Sequence, residues 1–196
     1  MGYSVFPAPS SGISVSDGNN AGWNLGESQW EQISEYKSTT SVSSINISSI
    51  PQTYRSLCLR IVGMTVSTDD SVYLRINNDS TASTYSRFYK RILGSTWGTS
   101  NQHSQSRIEL TDNAVSAGNT FHTFLHFPNY TSTSAKMVYW ESFYFSGSGQ
   151  VNLHGNATFR KSTTTDAITS LNFLTNATNM YFDSNAALSL VLYGVK

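Results

Sequence analysis

The chain has 196 residues, of which 12% are charged, about half the roughly 25% typical of soluble domains. Its 12 basic side chains balance its 12 acidic ones, so it lacks the basic surface that attracts nucleic-acid phosphates or anionic lipid headgroups, and we expect neither as a partner. Cys58 is the only cysteine, which excludes an internal disulfide and a zinc site built from the cysteines of one chain.

The N-terminal residues favour irregular structure. Residues 1–26 are rich in Ser, Gly, Asn and Pro and lack the basic region and long apolar stretch of a signal peptide, so we expect a coil-like arm on a protein made in a cytoplasm. Residues 29–37 fit either one or two helical turns, with Trp30 and Tyr36 near one face, or an edge strand. We assign residues 1–40 to an N-terminal arm that docks on a partner.

From residue 42 onward, apolar and polar side chains alternate with period two, which predicts half-buried β-strands. Pro51 cannot donate a backbone hydrogen bond and marks a turn between the first two strands. Residues 94–106 are predicted to form a polar loop that carries Trp97 and His103. Strands are predicted around Ile45 and Ile47, around Leu57 to Ile61 and around Val72 to Ile76, and then at residues 85–93, 107–110, 121–127, 136–145, 151–160, 168–174, 179–182 and 188–193.

Short strands separated by turn residues predict an all-β fold. We expect an antiparallel β-sandwich, jelly-roll-like, formed by residues 41–196 as one domain. Residues 138–145 are apolar at positions of both parities, which indicates a strand that is covered on both sides. We expect Trp140 and Tyr144 on the side away from the core, under a loop or against another subunit.

The sequence carries no pattern of catalytic or cofactor-binding residues. His122 and His126 have the spacing of a helical zinc pair, but they alternate with apolar residues as in a strand. On a strand they lie about 13 Å apart and cannot chelate one ion together. A Gly-x-Ser-x-Gly elbow, a phosphate-binding loop and a dinucleotide fingerprint are missing from the sequence. We therefore expect no metal, no cofactor and no enzymatic activity.

The segment at residues 151–160 has the most regular alternation in the chain, and it suggests a contact surface. Asn152, His154 and Arg160 fall on its polar side. Beside an exposed Trp97 or Trp140, this row of amide, imidazole and guanidinium groups is suited to a sugar or to a partner's backbone. A solvated sheet face is the alternative. For a protein partner, the candidate contacts also include the aromatic residues of the N-terminal segment, Trp30 and Tyr36.

Three segments carry a family resemblance: Ser49–Leu57, Leu74–Asp79 with the following Tyr85 and Ser86, and Leu188–Lys196. In them, and over roughly residues 42–196, the chain resembles small tailed-bacteriophage virion structural proteins. The resemblance implies a β-sandwich or jelly roll mounted on the outside of a phage particle. It carries over no catalytic residues, because the matching positions are strand and turn residues.

Two placements on the virion follow from this resemblance. One is a head decoration, or cement, protein bound to the major capsid protein, which we favour because one compact domain lacks the length of a fibre shaft. The other is a tail-fibre or baseplate appendage, with a carbohydrate-binding module for host recognition. Expected partners are other virion proteins and further copies of the chain, as a trimer; a host glycan is a further candidate. A polysaccharide hydrolase using Glu109 or Glu141 is the remaining alternative.

Overall fold

The computed structural model describes residues 29–160, 166–182 and 189–196. Within these ranges the chain forms thirteen β-strands and no helix. The predicted coil arm at residues 1–26 and the first residue of the predicted strand at 188–193 lie outside the described residues. In chain order the strands are β1 Trp30–Tyr36, β2 Ser44–Ile47, β3 Ser56–Val66, β4 Tyr73–Ile76, β5 Tyr85–Leu93, β6 Thr96–Gln105, β7 Ile108–Glu109, β8 Thr120–Pro128, β9 Lys136–Ser146, β10 Gly149–Phe159, β11 Leu171–Leu174, β12 Met180–Phe182 and β13 Ser189–Val195.

The strands form two antiparallel sheets that pack on each other. The large sheet has the order β1-β13-β3-β8-β9-β10-β5-β6, and β12 pairs with the end of β3. The small sheet has the order β2-β11-β4-β7. The predicted all-β antiparallel sandwich is therefore confirmed.

The strand order is that of a jelly roll with two inserted hairpins. Without the hairpins β5–β6 and β9–β10 and the short β12, eight strands remain. The first of these pairs with the eighth, the second with the seventh, the third with the sixth and the fourth with the fifth. One long antiparallel hairpin is thus rolled into two sheets, which is how a jelly roll is wound. The inserted hairpins extend the large sheet beyond β8, with β9 beside β8 and β5 beside β10, so that it has nine strands, including β12, against four in the small sheet.

The core lies between the sheets and is formed mainly by residues at alternate positions of the strands. Cys58 points to the opposite side from its neighbours Leu57 and Leu59, yet it is also buried. Burial raises the pKa of its thiol to about 11, so the thiol stays protonated. The strands facing each other across the core contribute Ile45, Ile47, Leu57, Leu59, Leu74, Ile76, Phe121, Leu125, Phe127, Leu171, Phe173, Leu190 and Leu192.

The two edge strands of the large sheet concern two predictions, the helix-or-strand alternative at residues 29–37 and the polar loop at residues 94–106. At one edge, residues 30–36 form strand β1, paired with β13, so the edge-strand alternative is the right one and this part of the N-terminal segment belongs to the sheet. At the other edge, the predicted polar loop at residues 94–106 is wrong, because Thr96–Gln105 is strand β6. None of its residues is fully buried, so β6 lacks the apolar alternation from which strands are recognised in a sequence.

A buried arginine holds the widened part of the large sheet against the small one. Arg87 points inward from β5, with 4% of its surface exposed. Its guanidinium donates to the Gln102 side chain, to the backbone oxygens of Glu109 and Thr111, and to the Glu109 carboxylate, with which it forms an ion pair. Burial lowers the pKa of Arg87 and raises that of Glu109, while the opposite charge of each partner counteracts these shifts.

The segment that follows β7 makes further polar contacts with the inner side of the large sheet. The Asp112 carboxylate accepts a hydrogen bond from the Tyr89 hydroxyl and pairs with Arg91, both on the inner side of β5. The backbone N–H of Asp112 donates to the hydroxyl of Tyr144 on β9, at 2.8 Å. Polar contacts therefore tie the inserted strands down on their inner side and leave their other side facing outward.

Replacing Arg87 by Met should lower the free energy of unfolding by about 3–5 kcal/mol, because it leaves the Glu109 carboxylate and two backbone oxygens without their donor. Adding Glu109→Gln should recover part of this loss, since the unpaired charge is then gone. Urea unfolding of both variants measures the effect. Arg55→Met, at an exposed arginine, is the control and should stay within about 0.5 kcal/mol of the parent protein. An equally small change in Arg87→Met would contradict this role.

Candidate binding face

The outer side of the large sheet carries a regular array of side chains on β8, β9 and β10. The contributing residues are His122, Phe124 and His126 of β8, Tyr139, Glu141 and Phe143 of β9, and Asn152, His154 and Asn156 of β10. Cross-strand pairing places them in three ranks: His126, Tyr139 and Asn156 in the first, Phe124, Glu141 and His154 in the second, and His122, Phe143 and Asn152 in the third. We call these nine residues the outer grid.

The aromatic rings of the outer grid are open to solvent. Phe124 is 41% exposed, Tyr139 46% and Phe143 38%. Phe88, which pairs with Asn156 from the neighbouring strand β5, extends the apolar surface sideways. Scattered exposed apolar residues are normal, but several large apolar side chains exposed together on one face mark an interaction surface. This face is therefore a candidate binding surface.

The central rank contains a carboxylate paired with an imidazole. His154 Nδ1 lies 3.2 Å from Glu141 Oε1, and both side chains are more exposed than buried. A pair this exposed contributes little to stability. Both groups keep further hydrogen-bonding capacity directed to solvent, where they are available to a ligand.

The two outer ranks repeat the same chemistry. Each contains an imidazole, an aromatic ring and a carboxamide. In the first, the rings of His126 and Tyr139 are stacked with centroids 6.5 Å apart. In the third, those of His122 and Phe143 are 6.3 Å apart and tilted. The two ranks therefore present similar groups on opposite sides of Glu141 and His154.

Two shallow depressions flank the central rank. One, of about 410 Å³, includes Phe88, Lys90 and Tyr139 in its lining. The other, of about 350 Å³, includes Arg60, His122 and Phe143. Phe124, Glu141 and His154 line both. Each depression thus combines aromatic walls with an amide, an imidazole and one basic side chain, around a shared carboxylate.

The surroundings of the two histidines of β8 favour the neutral imidazole. His122 Nδ1 accepts a hydrogen bond from the backbone N–H of Gly63 at 3.2 Å, so the proton is on Nε2, which faces Thr120 Oγ1 at 3.1 Å. Burial lowers the pKa of His122 and also that of His126. Protonation of Nδ1 in His122 would, in addition, break its bond to Gly63.

The structure brings together only part of the predicted contact row. Asn152 and His154 are in the outer grid, where pairing with β9 joins them to Phe143 and Glu141. Arg160 is exposed but lies beyond the end of β10. It is six residues from His154, which corresponds to about 20 Å along an extended chain, so it is not part of this surface.

The expectation that Trp140 is a ligand contact is wrong. Trp140 is 2% exposed and points into the core, and Tyr144 also points inward. Both parities of β9 are apolar, and the inner one is Val138, Trp140, Ser142 and Tyr144, whereas Tyr139, Phe143 and Phe145 face outward. The indole of Trp140 fits because its cross-strand neighbour is Gly155, which has no side chain in the way.

The remaining predicted aromatic contacts lie at the edges of the large sheet. Trp97 is in β6 and is 73% exposed, paired with Ile92 of β5. Trp30, on β1 at the opposite edge, packs edge-on against Tyr193. Tyr36 packs against Phe182 and is part of the rim of the core. These three residues therefore do not form one site.

Of the nine residues of the outer grid, the sequence singled out only Asn152 and His154 as contact residues. His122 and His126 were considered there as a zinc pair and Glu141 as a hydrolase carboxylate, and Phe124, Tyr139, Phe143 and Asn156 were given no role. A signal for them exists in the alternation of β8 and β9, where His-x-Phe-x-His and Tyr-x-Glu-x-Phe fall on single faces. Recognising it requires knowing which parity faces outward and which strands are neighbours. Local periodicity provides neither.

The part of the chain that the structure describes contains no group of three or more His, Cys, Asp or Glu side chains arranged to hold a metal ion. His122 and His126 share one face of a strand, as predicted, with Phe124 between them. In the described ranges there is also no helix long and apolar enough to cross a membrane.

Comparison of the chain with protein-family models, with curated proteins and with solved structures gave no match. The function is therefore inferred from the exposed surfaces of the sandwich and from the sequence resemblance over residues 42–196.

Placing a methyl group at Gly155 should destabilise the sheet beneath the outer grid. A Cβ added there would lie 2.2 Å from Cζ2 of Trp140, so Gly155→Ala should cost about 1–3 kcal/mol through overpacking. Urea unfolding followed by tryptophan fluorescence tests this. Gly147→Ala is the control, because no atom lies within 4 Å of a Cβ at that position. Equal stability of the two variants would show that the indole moves aside freely.

The neutral state of His122 predicts a pH dependence. Its pKa is lowered in the folded protein, so the unfolded chain binds the proton more readily, and stability present at higher pH is lost as the pH falls through about 6.5. An NMR titration of the His122 ring should give a midpoint below that value. Urea unfolding of His122→Gln should show a smaller loss of stability on acidification than the parent protein. A midpoint above 6.5 would contradict the assignment.

Proposed function

We propose that this protein is a non-enzymatic structural protein on the exterior of a tailed-phage particle, acting as a head decoration protein that docks on neighbouring virion proteins. The resemblance over residues 42–196 suggests the particle. The jelly-roll winding is compatible with it, since that winding occurs in viral capsid proteins and in lectins. A fold alone does not assign a function. The surfaces and strand edges that the sandwich leaves exposed therefore carry the proposal.

The observation that carries the proposal is the open edge at β6. This strand of ten residues contains no Pro, Asp, Glu, Lys or Arg. It pairs with β5 on one side and has no strand partner on the other among the described residues. Its only irregularity lies at the Tyr85 end of β5, so residues 96–102 form a regular ladder. Soluble proteins normally protect such edges with charges, prolines or bulges.

The opposite edge of the same sheet has that protection. Strand β1 carries Glu31 and Glu35, and its pairing with β13 is interrupted between Gln32 and Ser34. Among the strands that the structure describes, only β6 therefore offers a long uncharged ladder to which a neighbouring protein can add a strand. Trp97, at the start of β6, supplies an exposed aromatic anchor of the kind that dominates protein interfaces.

A decoration protein binds a repetitive lattice, on which many weak contacts add up. A surface with few charges and many Ser, Thr and Asn side chains suits this role, because such contacts then depend on backbone pairing and packing. Assembly of copies into a trimer, and docking by the N-terminal arm, stay predictions.

The proposal is tested on phage particles whose genome encodes this chain. Antibody–gold labelling of intact particles, with mass spectrometry of purified ones, should find the protein on the head surface. Labelling of the tail would support the appendage alternative instead. Absence of the protein from purified particles would overturn both placements.

Lysines on β6 should weaken docking. Thr99→Lys with Asn101→Lys places two charges on the open edge and should reduce incorporation into particles at least tenfold, because an added strand would then have to cover them. Gln29→Lys with Gln32→Lys, at or beside β1, introduces the same charge and is the matched control. Quantitative immunoblots of purified particles measure the effect. Equal incorporation of both variants would contradict docking through β6.

The tail-appendage alternative is favoured by a different observation, the outer grid, whose combination of groups is suited to a glycan.

A further inference from the structure

We propose that the outer grid is a saccharide-binding site, and that its ligand is an oligosaccharide of several pyranose units lying along the strand direction across both depressions. The site is on the outer face of the large sheet, whereas the docking edge is β6. The two can therefore be occupied at the same time and tested separately, and this inference does not depend on where the protein sits on a particle.

The outer grid combines exposed aromatic ring faces with hydrogen-bonding groups. A pyranose has an apolar face of C–H groups and a rim of hydroxyls. Exposed aromatic rings, which have a negative π face, attract such C–H groups, and the grid offers Phe124, Tyr139 and Phe143. Carboxamide, carboxylate and imidazole groups stand beside the rings and together both donate to and accept from hydroxyls. A ligand that is only apolar would leave these polar groups unsatisfied.

The outer grid repeats its side-chain groups along the strand direction. The first and third ranks carry the same three kinds of side chain, and they are four residues apart on each strand, which corresponds to about 13 Å. That distance exceeds the width of one sugar ring, so a single ring cannot contact both ranks. A chain of linked sugars presents the same groups at intervals and meets both. The basic side chain in each depression, Lys90 in one and Arg60 in the other, repeats as well.

Arg60 adds an observation on the third rank's side. It is partly buried, and its Nε atom is shielded from solvent without a hydrogen-bond partner among the described residues. It lines the same depression as His122 and Asn152. Arg60 therefore brings a guanidinium, a group that only donates hydrogen bonds, to the lining of this depression.

A second copy of the chain or another protein fits this face less well than a glycan does. A second copy of the chain stacked on this face, with its two-fold axis at the central rank, would bring the two Glu141 carboxylates together, where like charges disfavour contact. The cores of protein interfaces are also depleted of charged residues, whereas here a carboxylate–imidazole pair stands at the centre. Polar groups at the centre with aromatic rings around them match a hydroxyl-rich ligand better than a protein surface.

The lining residues indicate binding without cleavage. Glu141 is the only carboxylate in the lining of the two depressions, and glycoside hydrolysis generally requires a pair of them. We therefore assign Glu141 the role of a hydrogen-bond acceptor for sugar hydroxyls, with His154 orienting it.

The test uses the purified full-length protein. It is applied to an array of bacterial surface glycans, and titrated by calorimetry with maltohexaose, cellohexaose and chitohexaose and with the best array ligand. We expect binding of at least one oligosaccharide, and at least tenfold weaker binding of the corresponding disaccharide. Tyr139→Ala and Phe143→Ala should each raise Kd at least tenfold. Phe145→Ala is the matched control, because Phe145 is a similarly exposed aromatic residue on the same strand but outside both depressions.

Glu141→Gln provides a second variant that keeps the size of an exposed side chain and should also weaken binding, with unchanged thermal unfolding as the check on folding. Absence of binding to every glycan would overturn the proposal, as would equal binding by the Phe143→Ala and Phe145→Ala variants. A protein that dimerises in sedimentation, and becomes monomeric in Tyr139→Ala without binding any glycan, would assign the face to self-association instead. The β6 lysine variant should bind the glycan like the parent protein, so failure of docking and failure of glycan binding are distinguishable.

Discussion

The unbroken register of β8, β9, β10 and β5 is the constraint on which the candidate surface depends. The pairings among these strands contain no bulge, and β9 matches β10 residue by residue from Ser146 to Lys136. Register irregularities occur elsewhere in the large sheet, between β1 and β13, β3 and β8, and β5 and β6. A slip of one residue would turn every side chain of a strand to its other face. The three ranks exist because this part of the sheet has no slip.

The inner side of the same strands explains why that register is maintained. The indole of Trp140 occupies the space left by Gly155, which matches β9 to β10 at one position. Beside it, Arg87 and Asp112 anchor the inserted strand β5 to the segment that ends the small sheet. Buried polar contacts of this kind depend on geometry. The hairpins that widen the jelly roll are thus held by specific contacts as well as by apolar burial, and a flat outer surface is free for binding.

Periodicity alone determined the fold class and much of the strand content. Strict alternation at residues 151–159 identified the inner and outer sides of β10 correctly, because only one parity there is apolar. Asn152 and His154 could therefore be recognised as outward-facing from the sequence. Their aromatic partners could not, because they lie on other strands.

Only the tertiary structure decided which side of β9 faces the core and that residues 96–105 form a strand. In β9 both parities are apolar, so the alternation is compatible with Trp140 or with Tyr139 inside, and the space beside Gly155 selected Trp140. The polar strand β6 has no apolar face to recognise and is a strand because it pairs with β5. The sequence by itself therefore determined that the chain forms sheets, since side-chain alternation is local. Which strands are neighbours, and in which register, decides which residues meet in the outer grid, and side-chain alternation within one strand does not encode this pairing.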